Sequence, residues 1–164
     1  MNKRISESPR HGREGREYLG QLLQDGTDTE ILADLSDLAV QAGKSVTEAV
    51  RQSLLRVEGA YAVACIDSRH PGVIVAAKVA SPLVVGIGDG EQFLASDIPA
   101  LLAHTREIIF LDDGEMVTLT RDSVTLETLA GEPVNRPAKT VPWTLQEAEK
   151  GGYKHFMLKE IHEQ

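Results

Sequence analysis

Short apolar segments alternate with turn-forming residues along the chain from residue 60 to residue 129. The segments are rich in Val, Ile, Leu and Ala and are short, which is typical of β-strands. The dipeptides Pro71-Gly72 and Asp113-Gly114 separate neighbouring segments, and dipeptides of this kind favour tight turns. Because tight turns join antiparallel neighbours, the pattern predicts an antiparallel-rich sheet. The predicted strands are residues 60–67, 73–79, 82–88, 93–96, 107–111, 115–120 and 123–129.

One of these strands, and one segment between two strands, carry a further prediction. The segment AYAVACID, residues 60–67, is apolar at nearly every position, which is typical of a strand covered on both faces. The segment DIPALLAH, residues 97–104, has Asp97 in an N-cap position and Pro99 in the first turn. This spacing predicts a short helix between two strands.

Two amphipathic helices are predicted ahead of the strands, at residues 27–42 and 45–58. Thr27 with Glu30, and Ser45 with Glu48, have the spacing of capping boxes. A glycine follows each apolar stripe and is expected to end its helix. Helices followed by a run of strands predict an α+β fold, with two helices packed on an antiparallel-rich sheet. The apolar stripes consist of Ile31, Leu32, Leu35, Leu38 and Ala39, and of Val46, Ala49, Val50, Leu54 and Val57.

Composition excludes several functional classes. The 164 residues carry a net charge of -8, and an acidic chain repels nucleic-acid phosphates. The sequence has no 18-residue apolar window and no apolar segment near its start, so we expect a cytoplasmic protein without a membrane span. One cysteine forms no internal disulfide, and no histidine or cysteine has metal-site spacing. We therefore expect neither a metal nor a cofactor.

Several blocks of the sequence resemble one enzyme family. The string EGAYAVACIDSRHPGVIVAAKVASPLVVGIGDGEQFLASDIPALL resembles the glutaminase domain of glucosamine-6-phosphate synthases, also called glutamine–fructose-6-phosphate aminotransferases. TDTEILADL, IIFLDDGEMVTLT and YKHFMLKEIHEQ extend the resemblance in the same order. It implies part of the four-layer αββα fold of N-terminal-nucleophile hydrolases, and specifically the C-terminal half of a class II glutamine amidotransferase domain.

The resemblance also implies a domain organisation. Residues 1–17 are charged and lack periodicity, so we expect a disordered tail. Residues 18–130 are expected to form the partial glutaminase domain. Residues 131–164 would then be a connector and a linker helix, which in this family leads toward a sugar-phosphate isomerase region that the 164 residues do not include.

The family reaction converts glutamine and fructose 6-phosphate to glutamate and glucosamine 6-phosphate, for amino-sugar synthesis. The resemblance implies a leading cysteine whose thiolate attacks the glutamine amide and whose own α-amine acts as the base. This sequence begins Met1-Asn2 and contains no Asn-Gly pair of the kind that forms the family's oxyanion hole. We therefore assign no catalytic residue, and we expect a truncated glutaminase that is inactive alone.

Asp28 is the candidate substrate-binding residue. By family resemblance, this aspartate binds the α-amino group of glutamine, a charge-assisted hydrogen bond. Without the resemblance, Asp28 is explained as an acid that complements the dipole at the start of a helix. Cys65 has no basic neighbour in the sequence, so we expect a buried, structural thiol that behaves as a small hydrophobe with a raised pKa.

Three alternatives remain open from the sequence. The chain is either a non-catalytic binding or regulatory module that docks on a full-length synthase, or one half of a split glutaminase. In the second case, a complementary N-terminal half would pair with exposed strand edges. A misplaced start codon is the third explanation for the missing nucleophile.

Overall fold

The computed structural model of the protein describes residues 28–142. The predictions for the tail, for Thr27 and for the terminal helix lie outside the described residues. The chain divides into two compact units, and the boundary follows Val57. The first unit contributes two helices and the second contributes the strands, so each unit is described separately.

The first unit contains helix α1, Asp28–Gln41, and helix α2, Val46–Leu54. Gly43 has a φ of 88°, and its N–H donates to the Val40 carbonyl at 2.9 Å while the Lys44 N–H donates to the Ala39 carbonyl at 3.1 Å. This is a Schellman motif, and it confirms that glycine ends the first helix. The Ser36 and Ser53 hydroxyls, both buried, lie 3.1 Å apart and join the two helices.

The start of α2 confirms half of its predicted capping box. The Ser45 side chain accepts a hydrogen bond from the Glu48 N–H at 3.2 Å. The Glu48 carboxylate instead binds Arg51 and Gln52, one turn further along the same helix. Helix α2 ends at Leu54, so the last residue of its predicted stripe, Val57, lies beyond the helix and is partly exposed. The other four residues of that stripe are buried.

The second unit contains two antiparallel sheets. The first sheet has the strand order β1-β2-β6-β7-β8, and the second has the order β4-β3-β5-β9. All pairings between neighbouring strands of the described residues are antiparallel, which confirms the predicted sheet type. The strands are β1 Tyr61–Ile66, β2 Ile74–Val79, β3 Val84–Ile87, β4 Gln92–Ala95, β5 Glu107–Phe110, β6 Glu115–Leu119, β7 Val124–Thr128, β8 Pro133–Val134 and β9 Lys139–Thr140.

The main apolar core of this unit lies between the two sheets. It combines residues of β2, β6 and β7 from the first sheet with residues of β3 and β5 and their flanks from the second. Aliphatic side chains fill it, as the low aromatic content requires. Two helices and two antiparallel sheets confirm the α+β class. The buried members of this core are Ala76, Leu83, Val85, Ile109, Leu111, Val117, Leu119 and Leu126.

The segment 97–104 forms consecutive turns, so the predicted short helix is wrong. Asp97 caps the segment as expected, since its Oδ1 accepts the Ala100 N–H at 3.3 Å. Leu101 then donates to the Ile98 carbonyl and His104 to the Leu101 carbonyl, both at 2.9 Å. A segment this short gains little from helical cooperativity, and burying Leu101 against the second sheet decides its conformation.

Strand β1 is not covered on both faces, which corrects the prediction for residues 60–67. It lies at an edge of the first sheet, and its residues alternate between half-buried and exposed. Ala62, Ala64 and Ile66 form the exposed side. Composition indicated an apolar strand correctly, but the edge position depends on the strand order, which composition does not contain.

Candidate functional site

Asp28, the residue assigned to glutamine, is the first residue of α1. The N-terminus of a helix carries unpaired N–H groups and a partial positive charge, which stabilise a carboxylate. The same helix carries Glu30, Asp34 and Asp37, spaced so that they lie along one side. Burial, and then the charges of Glu30 and Asp37, raise the pKa of the Asp34 carboxyl. These three acidic side chains therefore place negative charge along one side of α1.

Cys65 is half-buried in β1, opposite Val75 of β2. Burial, and then the nearby Asp67 carboxylate, raise the pKa of the Cys65 thiol. The predicted raised pKa is confirmed. A raised pKa lowers the thiolate fraction at neutral pH, so this thiol is a poor nucleophile.

Asp67 organises the turn between β1 and β2. Its Oδ1 accepts the Arg69 N–H at 2.9 Å and the Arg69 guanidinium at 2.9 Å, and its Oδ2 lies 3.2 Å from His70 Nδ1. The Arg69 side chain, and then the Arg69 backbone N–H, hold the pKa of the Asp67 carboxyl far below its usual range. Turn formation explains this cluster, in agreement with the turn predicted from Pro71-Gly72 between the two strands.

Asp113 joins the turn before β6 to the end of β2. Its Oδ1 accepts Lys78 Nζ at 2.5 Å and the Ala80 N–H at 2.9 Å. The Lys78 hydrogen bond, and then the Ala80 N–H, lower the pKa of the Asp113 carboxyl. Gly114 has a φ of 78°, which agrees with the predicted Asp-Gly turn. Ala80 has a φ of 53°, a left-handed conformation that is unusual for alanine.

The neighbouring Asp112 belongs to a different network. Arg136 Nη2 donates to Asp112 Oδ2 at 2.5 Å and to Glu115 Oε1 at 2.6 Å. The buried Glu115 also accepts the Asp112 N–H at 2.8 Å. Asp112 and Asp113 therefore have separate structural partners, so they are not a pair of catalytic carboxylates. Sequence analysis missed Arg136, because an ion pair between distant residues leaves no periodic signal.

The part of the chain that the structure describes offers neither a metal site nor a membrane span. Within residues 28–142, no three His, Cys, Asp or Glu side chains are grouped so that they could hold a metal ion. None of the helices in the same range is long and apolar enough to cross a membrane.

Comparison with known proteins shows strong similarity to one group of enzymes. A glutamine–fructose-6-phosphate aminotransferase [isomerizing] of Thermus thermophilus is 51% identical over 152 residues, which are 93% of this chain and 25% of that protein. The enzyme of the same name from Methanothermobacter thermautotrophicus is 45% identical over 152 residues, and that from Aquifex aeolicus is 48% identical over 145. The chain spans about a quarter of the length of these relatives. No protein-family model matches it.

Solved structures support the fold. The glutamine phosphoribosylpyrophosphate amidotransferase of B. subtilis superimposes with a TM-score of 0.54 over 83% of this chain and 34% of its own, at 20% identity. A structure described as the allosteric regulatory enzyme of purine biosynthesis gives the same TM-score over 82% of the chain. Similarity at this level of identity concerns the fold alone. Over 88–93% of its length, the chain therefore matches part of the glutamine amidotransferase region of glutamine–fructose-6-phosphate aminotransferases.

Proposed function

We propose that this chain supplies the glutamine-binding part of a glutamine amidotransferase, with Asp28 binding the α-ammonium group of glutamine. The observation that carries the proposal is the 51% identity over 152 residues to an enzyme named for glutamine and fructose 6-phosphate. The ammonia released from glutamine would serve amino transfer to fructose 6-phosphate. The same proposal places the chain in the cytoplasm, where a single thiol stays reduced.

The chemistry of α1 supports this role for Asp28. A carboxylate and an ammonium form a charge-assisted hydrogen bond, roughly twice as strong as a neutral one. Glu30, Asp34 and Asp37 add negative potential along the same helix, which increases the local concentration of a cationic group. We assign only Asp28 to glutamine, and we treat the other three acids as long-range contributors.

The bond-breaking step needs a nucleophile that the 164 residues do not supply. Their single thiol is Cys65, whose pKa is raised and whose own nitrogen is a peptide amide inside a strand instead of a free α-amine. Family chemistry requires a thiolate and an α-amine on one residue. We therefore propose that the chain binds glutamine, and that cleavage requires a cysteine from another polypeptide segment.

Glutamine binding by the purified 164-residue chain tests the proposal. Calorimetric titration should show that Asp28→Asn weakens glutamine binding by about tenfold or more, because the ammonium loses its charged partner. Asp37→Asn is the matched control, since it removes the same charge from the same helix. The analogue 4-carbamoylbutyrate lacks the α-amine and should bind both variants and the unmodified chain equally weakly. Equal glutamine affinity in all three proteins would contradict the role of Asp28.

Ammonia release by the same chain tests the second half of the proposal. We expect none above the uncatalysed rate, because Cys65 is neither activated nor terminal. Release of ammonia that Cys65→Ser abolishes would overturn this expectation.

A further inference from the structure

Two Asp-Gly dipeptides lie in tight turns of the described residues, Asp89-Gly90 between β3 and β4 and Asp113-Gly114 between β5 and β6. A third dipeptide of this kind, at residues 25–26, lies outside residues 28–142. In such a dipeptide the glycine nitrogen can attack the aspartate carboxyl carbon, because glycine has no Cβ to obstruct the approach. Both described dipeptides are followed by glutamate, so their local sequences are nearly the same. Their surroundings in the fold therefore decide which of them reacts.

Hydrogen bonds to the end of β2 hold both reacting groups of Asp113-Gly114. The Asp113 carboxylate accepts Lys78 Nζ at 2.5 Å and the Ala80 N–H at 2.9 Å. The Gly114 N–H donates to the Lys78 carbonyl at 2.9 Å. These bonds must break before the Gly114 nitrogen reaches the carboxyl carbon of Asp113. The lowered pKa of the Asp113 carboxyl also reduces the amount of its neutral form, whose hydroxyl group leaves more readily.

The reacting groups of Asp89-Gly90 have no such restraint. Both residues are exposed, and within residues 28–142 neither the Asp89 carboxylate nor the Gly90 N–H has a hydrogen-bond partner. A methyl group at the Cα of Gly90 would lie 3.9 Å from the Arg121 guanidinium, which leaves room for the turn to change conformation. The hydrogen bonds of this turn use other atoms. The Gly88 N–H donates to the Glu91 carbonyl at 3.0 Å, and Arg121 Nε donates to the Gly90 carbonyl at 3.1 Å.

We propose that Asp89-Gly90 is a modification site, at which Asp89 isomerises spontaneously to isoaspartate while Asp113 is protected. The Gly90 nitrogen bonds to the Asp89 carboxyl carbon, and the amide proton leaves with the carboxyl hydroxyl as water, which closes a cyclic imide. Solvent water then opens the imide at one of its carbonyls. Addition at the former side-chain carbonyl restores aspartate. Addition at the main-chain carbonyl leaves the chain running through Cβ, with the α-carboxylate as a side branch.

Isoaspartate would change the contacts of this turn, because it inserts the Cβ of Asp89 into the main chain between β3 and β4. The turn spans only residues 88–91, and Arg121 holds its Gly90 carbonyl. Arg121 follows β6 of the first sheet, whereas β3 and β4 belong to the second, so this hydrogen bond joins the two sheets. The longer turn would break it. Amide hydrogen exchange of residues 88–91 should therefore be faster in the isomerised protein.

Peptide mapping of the aged 164-residue chain tests the site. The folded protein is stored at neutral pH, digested and analysed by mass spectrometry with electron-transfer fragmentation, which distinguishes isoaspartate from aspartate. Isoaspartate should form at residue 89 at least about tenfold faster than at residue 113, because the hydrogen bonds of Asp113 and Gly114 must break first. Asp89→Glu should abolish the product at that position, since the longer side chain would have to close a larger, more slowly formed ring.

Two controls separate the effect of the fold from that of the local sequence. In urea, where the fold is lost, the rates at residues 89 and 113 should become similar. Lys78→Met removes the ammonium group that holds Asp113, so it should raise the rate at residue 113 and leave the rate at residue 89 unchanged. Equal rates in the folded chain, absence of isoaspartate at residue 89, or an undiminished difference in urea would overturn the inference.

Discussion

At the scale of single residues, Ala80 shows a conformation that sequence analysis did not identify. A left-handed φ in alanine costs roughly 1–2 kcal/mol, and the Asp113 carboxylate holds the Ala80 N–H in place. Glycine adopts this conformation without that cost. It also gives the unfolded chain more entropy, which offsets about 0.5–1 kcal/mol of the stability gained. We therefore predict that Ala80→Gly raises the free energy of unfolding by roughly 0.5–1 kcal/mol. Urea denaturation measures this change.

Ala62→Gly is the matched control, since Ala62 lies in an exposed position of an ordinary strand. It should lower stability by roughly 0.5–1 kcal/mol, because glycine weakens strand interiors. If Ala80→Gly and Ala62→Gly lower stability equally, the left-handed conformation of Ala80 does not strain the fold.

The buried Glu115 carries a second prediction at this scale. Arg136 is its charged partner, and Arg136→Ala leaves the carboxylate without that partner. We predict a loss of about 2–3 kcal/mol in the free energy of unfolding. Arg121→Ala is the control, because Arg121 is exposed and, within residues 28–142, donates a hydrogen bond to the Gly90 carbonyl and to no carboxylate. A loss no larger than that of the control would show that the Arg136 ion pair is a surface contact of little weight.

The sequence predicted turns between adjacent residues better than contacts between residues that are distant in the sequence. Turns at Asp67–Gly72 and Asp112–Glu115 follow from residues that are adjacent in sequence, and the structure has both. The Arg136–Glu115 ion pair joins residues 21 positions apart, and it depends on the strand order of the finished sheet. The side-chain role of Asp28 stays a prediction.

At the scale of secondary-structure elements, the N-cap of α2 gives a direct prediction. Ser45 accepts the Glu48 N–H, so Ser45→Ala should lower the free energy of unfolding by about 1 kcal/mol. Lys44→Ala, on the exposed residue before the cap, should change it little. Thermal unfolding followed by circular dichroism compares the two variants, and equal midpoints would show that the Ser45 side chain does not stabilise α2.

The elements also show where sequence patterns are sufficient. Helices α1 and α2 were predicted because stripes and caps are local, and the end of α1 at Gly43 and the start of α2 after Ser45 agree with the structure. The predicted stop of α2 at Gly59 is wrong, since α2 ends at Leu54. The segment 97–104 has a correct cap at Asp97 but no helix, since packing of Leu101 outweighs local preference. The cover of β1 was misjudged for a similar reason, because an apolar edge strand and an apolar central strand have the same composition.

At the scale of the whole molecule, stability should fall in acid. Hydrogen bonds hold the pKa values of Asp67 and Asp113 below the usual value of about 3.9. The folded protein therefore binds fewer protons than the unfolded chain below about pH 4, and stability rises with pH through that window. We predict that Asp67→Asn reduces the difference in unfolding free energy between about pH 6 and about pH 3. Asp122→Asn is the control, and an identical pH dependence in both variants would contradict the role of Asp67.

The similarity to glutamine–fructose-6-phosphate aminotransferases extends over 93% of the chain, whereas the proposed binding of glutamine depends on one residue, Asp28. The most direct measurement is an NMR titration of the 15N-labelled 164-residue chain with glutamine. We predict saturable shifts of the amides in the first turn of α1, which Asp28→Asn abolishes and Asp37→Asn preserves. Shifts confined to other elements, or the same shifts in Asp28→Asn, would contradict the proposal that this chain binds glutamine through Asp28.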